Sequence, residues 1–416
     1  MSVNKIDNVL GHVIRFSILV VVFCLPLSSG LVNTFIAVGL LALVVQKAAR
    51  GQWRISPTRL NLFLLLFFAA SCISMLNSIE PQTSIKGLVK VLKFLSIFFL
   101  MVEGTKDKVF FRKAAIALAA GAAIVSIDGI IQYFTGRDII RGNPLLINLG
   151  IRRITAAYRH SNDFGIYLVS VAPFLWSLGL FGVKKPALKR AMLSTAALVT
   201  ICVGLSFSRG AALAFYVSML TLGLVKKNKL IIVVLALALL AVPFLLPKSV
   251  YEWGSQTKSP LEFFCNTDRI AFYRSSIEMI KDHPVIGVGV NTFVKAYPKY
   301  KVHDVDVITG DFCYAHNNYL QMAGEIGLLG LGVFLLIMAA LFLEIKGSYQ
   351  KSGSDFVKNA ALGLGCGVLA FLLNGLTESS FYFSKIVVVF WVITGLAVSL
   401  KFMGQSDEEY ISSKNG

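Results

Sequence analysis

Residues 316–343 read H-N-N-Y-L-Q-M-A-G-E-I-G-L-L-G-L-G-V-F-L-L-I-M-A-A-L-F-L, a polar head followed by an apolar run from 322 to 343. A transmembrane helix needs roughly 20 mostly apolar residues, so this run is long enough to cross a membrane. The head begins with His316, whose imidazole gains or loses a proton near neutral pH. An ionisable side chain where a polar loop meets a membrane helix indicates a site of chemistry. The alternative for His316 is a satisfied histidine at the membrane interface.

The composition of the whole chain is that of a membrane protein. Of its 416 residues, 56% are hydrophobic and 31 are phenylalanine, which is too much apolar surface for a water-soluble domain. We predict an all-α polytopic membrane protein with about twelve transmembrane helices, and eleven or thirteen remain possible. The expected spans lie near residues 12–29, 31–46, 60–76, 88–103, 109–132, 163–182, 190–206, 209–225, 229–247, 322–343, 358–376 and 384–402.

The positions of lysine and arginine predict the orientation. Every second loop is basic, and basic loops stay in the cytoplasm. These residues are Lys47, Arg50, Arg54 and Arg59; Lys106, Lys108, Arg112 and Lys113; Lys184, Lys185, Lys189 and Arg190; Lys226, Lys227 and Lys229; and Lys346, Lys351 and Lys358. We therefore expect a multi-pass protein of the bacterial inner membrane with both termini in the cytoplasm. The first apolar stretch lacks a signal-peptide cleavage site, so we expect it to be retained.

The expected organisation has four parts. Residues 1–247 hold the first nine membrane helices, 248–315 form a long periplasmic loop, 316–402 hold the last three helices, and 403–416 form a cytoplasmic tail. A loop of that length is usually functional. Within it, apolar residues at helical spacing predict an amphipathic helix on the membrane surface over 269–281; they are Ile270, Tyr273, Ile277 and Ile280. Asp282-His283-Pro284 should end that helix, and Gly287 and Gly289 mark a turn.

Several arginines lie on the expected periplasmic side, against the orientation signal. Arginine suits phosphate because its planar guanidinium gives paired hydrogen bonds and keeps its charge. Those that could hold an anion are Arg159, Arg209, Arg269 and Arg274. We interpret the remaining ones as solvated or headgroup-contacting side chains; they are Arg137, Arg141, Arg152 and Arg153. No basic tail or patch with interleaved aromatic residues predicts a nucleic-acid partner.

The six cysteines fall into two groups. Four lie within spans and are expected to be packing residues, namely Cys24, Cys72, Cys202 and Cys366. Cys265 and Cys313 share the long loop, and in an oxidising compartment they could form a disulfide. The alternative is two unpaired thiols. The histidines show no metal-ligand spacing, so we expect no metal site and no cofactor.

Four segments in order resemble the superfamily of O-antigen ligases and O-antigen polymerases. They are A-Y-R-H-S-N-D-F-G, F-S-R-G-A, R-x-x-x-Y-R-x-x-I-E-M-I-K-D-H-P-V-I-G-V-G and H-N-N-Y-L-Q-M-A-G-E-I-G-L-L-G, within about residues 155–330. The resemblance implies a metal-independent, membrane-embedded glycosyltransferase of the GT-C type. Such an enzyme moves a glycan from undecaprenyl diphosphate to an acceptor sugar at the periplasmic face.

The same resemblance implies roles for individual residues. It implies that His316 is the catalytic residue and that Arg209, Arg159 and Arg269 bind the diphosphate. We add Arg274 and Asn317 as expected substrate-binding residues. The chemistry agrees, since a neutral imidazole can accept the acceptor hydroxyl proton and arginines can stabilise a departing diphosphate. A single displacement inverts the anomeric centre.

Three functions remain open. The first is an O-antigen ligase that joins the glycan to the lipid A core oligosaccharide, and the second is a polymerase that extends the glycan on its carrier. The third is a transporter or flippase for an anionic lipid, which should show ionisable residues inside the spans and internal repeats. We favour the ligase because of the overall size and the single large late loop, an argument by analogy.

Overall fold

The computed structural model describes residues 3–148, 150–245, 247–257, 260–302 and 313–403, without the side chains of 3–5, 245, 253 and 260–268. Within these ranges the chain forms fifteen α-helices and one two-stranded antiparallel sheet. The elements are α1 Val3–Cys24, α2 Ser29–Ala49, α3 Asn61–Ser74, α4 Pro81–Gly104, α5 Lys108–Thr135, β1 Leu146–Asn148, β2 Ile151–Arg153, α6 Ser161–Ser177, α7 Pro186–Leu205, α8 Arg209–Val225, α9 Lys229–Leu245, α10 Lys248–Ser255, α11 Pro260–Asp282, α12 Phe293–Tyr300, α13 Asn318–Lys351, α14 Asp355–Asn374 and α15 Ser384–Ser399.

The all-α polytopic membrane fold expected from the sequence is confirmed. Eight helices in the described ranges are long and apolar enough to cross a membrane, and the shorter helices α3, α8 and α9 are apolar as well. The helix α4 lies at the remaining expected span and carries Lys86, Lys90 and Lys93. Each expected span therefore coincides with a helix.

The interior of the bundle is formed by α6, α14 and α15. In the most apolar part of α14, 83% of the residues are buried, compared with 28% in α1, so α14 is central and α1 peripheral. Glycines let α14 approach α6 closely. A Cβ at Gly363 would lie 2.7 Å from the Cα of Phe174, and a Cβ at Gly367 would overlap the carbonyl of Ser170. Small residues at such contacts are typical of membrane helix packing.

The helix α13 is interrupted at Gly327, whose φ of +72° lies in the left-handed region. The segment after α11 fills the gap with backbone hydrogen bonds. The Val288 amide donates to the Gly324 carbonyl at 3.0 Å, and the Leu328 amide donates to the Pro284 carbonyl at 2.8 Å. The interruption leaves backbone amides and carbonyls of α13 without partners inside the helix, and the segment after α11 forms hydrogen bonds with them. Buried backbone in a membrane protein needs such partners.

Glu325 fixes the same segment from inside α13. Its buried carboxylate accepts hydrogen bonds from the backbone amides of Asn291 at 2.6 Å and Phe293 at 3.1 Å. The expected turn is present, with φ of +68° at Gly287 and +108° at Gly289. A side chain at Gly287 would overlap the backbone of Glu325, so this position requires glycine.

The helix expected over 269–281 is present as part of α11 and one of its faces is covered by protein, whereas its placement on the membrane surface stays a prediction. Ala271, Phe272 and Met279 are buried, whereas Ile277 is 43% exposed. The buried residues form an apolar cluster with residues from the segment after α11 and from the start of α13, including Val288, Phe293, Tyr297, Cys313 and Ala315. Contact with the chain's own loop therefore determines the buried face of this helix.

Contacts between loops define two ends of the bundle. At the first, which we call the site end, the Arg141 guanidinium donates to the Leu27 carbonyl at 3.0 Å, and the Asn317 amide donates to the Leu376 carbonyl at 3.0 Å. At the second, the opposite end, Glu344 accepts a hydrogen bond from the Arg59 amide at 2.8 Å. The site end holds residues 25–28, 75–80, 136–148, 150–160, 206–208, 313–317 and 375–383.

A small hairpin at the site end was not expected from the sequence. Strands β1 and β2 pair Leu146 with Arg153, and the Ile154 amide beyond them donates to the Leu205 carbonyl at 3.2 Å. Gln132 of α5 anchors the chain just after β2, because its side-chain oxygen accepts from the Thr155 amide at 2.7 Å. The hairpin thus brings β2 beside the turn between α7 and α8.

Three of the four cysteines expected to be packing residues are buried, and Cys72 is half-buried. Cys24, Cys202 and Cys366 are buried, and the Cys202 thiol lies 3.3 Å from the Ser126 carbonyl. Cys313 is buried in the apolar cluster beneath α11. The Cys265 side chain lies outside the described part of the chain, so the disulfide between Cys265 and Cys313 stays a prediction.

Candidate functional site

A buried carboxylate, Glu378, is the centre of the polar cluster at the site end. One of its oxygens, Oε1, accepts from the Arg269 guanidinium at 2.6 Å and from the Asn162 amide at 2.5 Å. The other oxygen, Oε2, lies 3.5 Å from Nδ1 of His316. Glu378 comes from the loop between α14 and α15, so this one side chain joins three separate parts of the sequence.

His316 lies two residues before α13 in a left-handed backbone conformation, with φ of +48°. Its ring is half-buried, 5.5 Å from the ring of Phe272 on α11. The Tyr273 hydroxyl lies 3.3 Å from the His316 carbonyl and 3.1 Å from the Leu376 carbonyl. The imidazole is therefore held between α11 and the loop that carries Glu378.

Arg269 is attached to the same loop by two bonds. Its Nη2 donates to Glu378, and its Nη1 donates to the Thr377 carbonyl at 2.6 Å. The side chains of Arg269 and Glu378 are 19% and 11% exposed, so water screens this ion pair less than a surface pair. These two bonds do not exhaust the five N–H donors of a guanidinium.

Arg153 is brought to the cluster by the hairpin, which corrects its interpretation as a solvated side chain. Its Nη2 donates to the Asn162 oxygen at 2.9 Å, and its Nε donates to the Ser206 carbonyl at 3.1 Å. Asn162 in turn donates to Glu378, so Arg153 is connected to the carboxylate through one amide. Arg152, its neighbour on β2, is exposed as expected.

Arg209 is the first residue of α8 and is half-buried. The helix start is pressed against the Glu378 loop, because a Cβ at Gly210 would overlap Oγ1 of Thr377. It is also close to α6, since a Cβ at Gly165 would lie 2.9 Å from the Cβ of Ala211. The packing of α8 therefore brings the backbone at Arg209 to the edge of the cluster.

Backbone strain is concentrated around the same place. Among the described residues, five non-glycine residues have a positive φ, and three of them adjoin the site: Ala156 at +45°, Phe207 at +44° and His316 at +48°. Such conformations are uncommon outside glycine and gather at functional sites. Phe207 lies two residues before Arg209, and Ala156 lies between the hairpin and α6.

The electrostatics of the cluster keep Glu378 ionised. Burial raises the pKa of Glu378, but Arg269 and His316 outweigh burial, so its pKa lies below the usual value of a glutamate. Burial lowers the pKa of Arg153, Glu378 opposes that shift and Arg269 adds to it. Arginine stays charged in proteins, so the cluster contains at least two fixed positive charges around one carboxylate.

Helix starts add to the positive character of the site end. The N-termini of α6, α8 and α13 all lie at this end. A helix N-terminus carries unsatisfied amides and a partial positive charge. Together with the arginines, these three helix starts favour an anionic ligand.

Three of the expected binding residues are placed less directly. Arg159 is exposed in the turn before α6. Arg274 is exposed and lies five residues after Arg269, which places it about 140° around α11 from Arg269. Asn317 caps α13, because its side-chain oxygen accepts from the amides of Tyr319 at 2.9 Å and Leu320 at 3.0 Å. Their substrate-binding roles stay predictions.

The sequence did not single out Glu378, Asn162 or Arg153 as site residues. A signal was available for Glu378, which is a lone carboxylate between the last two spans in T-E-S-S, where an ionisable residue has few structural reasons to be. Asn162 is the second residue of α6, whose capping position is His160.

Residues 194–335 match a protein-family model described as O-antigen ligase. This segment is similar to the O-antigen ligase domain. The match supports the superfamily of O-antigen ligases and polymerases that the sequence resembles, and it implies a glycosyltransferase-like enzyme. No curated protein matches the chain.

The O-antigen ligase domain contains only part of the polar cluster. His316, Arg269 and Arg209 lie inside residues 194–335, whereas Glu378 and Asn162 lie outside. The fold thus completes the domain's charged residues with a carboxylate from a later loop and an amide from an earlier helix. The site depends on the whole bundle and not on the domain alone.

Proposed function

We propose that this protein is an O-antigen ligase that transfers a glycan from undecaprenyl diphosphate to the lipid A core oligosaccharide. The observation that carries the proposal is the convergence of His316, Arg269 and Glu378 in a chain with an O-antigen ligase domain. The reaction needs a base for the acceptor hydroxyl and positive charge for the departing diphosphate. The cluster contains groups of both kinds, and the mechanism uses no metal.

His316 acts as the general base. Its Nδ1 faces Glu378 at 3.5 Å, so a proton on Nδ1 is stabilised by the carboxylate and the lone pair is left on Nε2. A carboxylate behind a catalytic histidine fixes the imidazole orientation and tautomer in the same way in Ser-His-Asp enzymes. Glu378 is therefore a positioning residue, which acts through His316.

The displacement forms one bond and breaks another at the anomeric carbon. The acceptor oxygen attacks the anomeric carbon of the donor sugar while its proton passes to Nε2 of His316. The bond between that carbon and the diphosphate oxygen breaks, and its electron pair leaves with the diphosphate. A single displacement of this kind inverts the anomeric configuration.

The arginines bind the diphosphate and stabilise the charge that develops on it. Arg269 is held in place by Glu378 and Thr377, and Arg209 begins a helix that packs against the same loop. Donors fixed before the reaction stabilise a transition state without reorganisation. Arg159 and Arg274 are exposed, so we assign them to the outer part of the donor site.

The site end faces the periplasm in this proposal. The basic loops of the opposite end support it, because positively charged loops remain in the cytoplasm. Reporter fusions at residue 186 and at residue 255 test the orientation. Cytoplasmic reporter activity at residue 255 would contradict the proposed reaction at the periplasmic face.

Buried charges inside the spans favour an enzyme over a transporter. Glu325 accepts two backbone amides of the segment after α11, and Glu344 accepts the Arg59 amide and lies 3.2 Å from Nζ of Lys401. Both carboxylates thus hold structure together. A transport pathway instead uses such groups to bind and release its cargo.

The lipopolysaccharide profile of a deletion strain tests the proposal. Loss of ligase activity leaves a bare lipid A core and long polymer on the carrier lipid. Single repeats attached to the core would identify a polymerase instead. An unchanged profile, with both core and polymer as in the parent strain, would contradict both activities.

A further inference from the structure

A pocket of about 570 Å³ opens at the opposite end of the bundle, away from the Glu378 cluster. It lies between the N-terminal parts of α5, α7 and α14 and the turn of π-helix at Leu178–Gly182. Its volume is within the range of ligand pockets. None of its lining residues belongs to the proposed catalytic site.

The charged lining of this pocket is strongly positive. Its basic residues are Lys108, Arg112, Lys184 and Lys185, and its acidic residue is Asp355. Asp355 lies 3.5 Å from Lys184, and this pair is solvated, with side chains 90% and 59% exposed. Even apart from Lys108 and the solvated pair of Lys184 with Asp355, Arg112 and Lys185 contribute positive charge to the pocket.

Arg112 is fixed at the pocket by an aromatic contact. Its guanidinium carbon lies 5.1 Å from the centre of the Phe356 ring, a cation–π distance. Phe356 is itself packed edge-on against Phe111 at 6.0 Å. The charge of Arg112 is therefore held over an apolar wall of the pocket.

The rest of the lining is apolar and continuous with the outer surface of the bundle. It includes Ala115, Ile116, Leu188 and Met192. Ile116 on α5 is 45% exposed, so this wall reaches the surface that faces lipid. A freely soluble anion would contact only the basic residues of the pocket. A phospholipid has a charged headgroup for the basic residues and acyl chains for the apolar wall that opens toward the bilayer.

We propose that this pocket binds an anionic phospholipid of the adjacent leaflet, with its phosphate headgroup among the basic residues and its acyl chains along Ile116, Leu188 and Met192. Basic pockets between membrane helices hold phosphate headgroups in this way. The binding is independent of the proposed transfer reaction.

Native mass spectrometry of the purified full chain after delipidation tests the proposal. The probes are dioleoyl phosphatidylglycerol, dioleoyl phosphatidylcholine and glycerol 1-phosphate. We expect retention of phosphatidylglycerol and weak retention of phosphatidylcholine. The triple variant R112Q/K184Q/K185Q should weaken phosphatidylglycerol binding about tenfold or more, because each basic residue near an anionic headgroup contributes on the order of fivefold.

A matched variant separates the pocket from general surface charge. K227Q/K229Q/K346Q removes three exposed basic residues at the same end but outside the pocket lining. It should change phosphatidylglycerol binding less than about twofold, since these side chains do not line the site. Equal losses in the two variants would overturn the proposal, and so would equal retention of the neutral lipid.

Photo-crosslinking of the unmodified protein gives a readout that does not depend on variants folding. A phosphatidylglycerol with a photoactivatable acyl chain should label peptides covering residues 108–116 and 183–192. Labelling confined to other helices would contradict the site. Competition by glycerol 1-phosphate as strong as that by the whole lipid would identify a site for soluble phosphate and overturn the lipid assignment.

Discussion

Two arginines of the Glu378 cluster and two lysines of the pocket at the opposite end differ in how firmly the protein holds them. At the site end, Arg153 and Arg269 are half-buried, and each donates hydrogen bonds to two different residues. At the opposite end, Lys184 and Lys185 are exposed, and Lys184 forms only a loose pair with Asp355. Fixed charges suit recognition of a defined charge distribution, whereas mobile charges suit a membrane surface.

The basic residues of these two groups have different physical roles. Exposed lysines in loops orient a membrane protein and require no defined geometry. Arginines around a buried carboxylate cost desolvation free energy, which only good geometry offsets. The fixed set at Glu378 therefore indicates a function that depends on position.

The largest expected effect comes from His316→Ala. Transfer should fall by on the order of 10²–10⁴ while binding of the carrier lipid is kept, because the imidazole acts on the acceptor and the arginines on the donor. A transfer assay and a carrier-binding assay on the purified enzyme measure the two. His160→Ala is the matched control, since His160 is exposed at the same end. Loss of carrier binding in His316→Ala would make His316 a donor ligand or a structural residue.

Glu378→Gln should have the next largest effect. The amide keeps the shape but removes the charge that orients His316 and neutralises Arg269, so kcat should fall about 10²-fold. The KM for the donor should change less than kcat, because Arg269 keeps its bond to the Thr377 carbonyl and Glu378 itself does not touch the diphosphate in the proposed mechanism. Glu278→Gln, in an exposed pair with Lys281 on α11, is the control and should behave as the parent enzyme. A change in KM alone would place Glu378 in the donor site.

Arg209→Lys tests whether the geometry of the charged group matters in addition to its charge. One ammonium cannot reproduce the paired hydrogen bonds of a guanidinium, so transfer should fall about tenfold or more although the charge is kept. Arg152→Lys should be tolerated, because Arg152 is exposed on β2. Equal losses in a transfer assay would show that the guanidinium geometry matters at both positions and that the site extends further along β2.

How much of the fold and of the candidate site was predictable from the sequence depends on the distance along the chain over which residues interact. The spans are visible as local apolar runs, and His316, Arg209 and Arg269 stand out locally because their chemistry is unusual for their place. Glu378 does not stand out locally, because its role depends on the ion pair with Arg269, which lies 109 residues earlier in the sequence. The protein-covered face of α11 was not predictable for the same reason, since helical spacing cannot show which segment will cover a helix.

The hairpin and Arg153 illustrate a second limit. Strands of three residues carry too little pattern to be read from a sequence. Arg153 and Arg152 are adjacent and chemically identical, and only the pairing of β2 turns Arg153 toward Asn162 while Arg152 stays exposed. Alternation along a strand therefore separates a site residue from a solvated one.

The smallest expected effect is a pH-dependent difference in thermal stability between the parent protein and Glu378→Gln. The pKa of Glu378 is lowered in the folded protein despite burial, by Arg269 and His316. A carboxylate with a lowered folded pKa stabilises the protein fully above its unfolded value, about 4.3 for glutamate, and loses that stabilisation as the pH falls through the folded value. The parent Tm should exceed that of Glu378→Gln by about a few degrees between pH 6 and pH 7, and the gap should narrow below about pH 4.3. Thermal unfolding in detergent measures both proteins, and Glu278→Gln should show no such gap. A gap that widens toward acid pH would mean that Glu378 is protonated in the folded protein, and it would remove the charge from the centre of the proposed site.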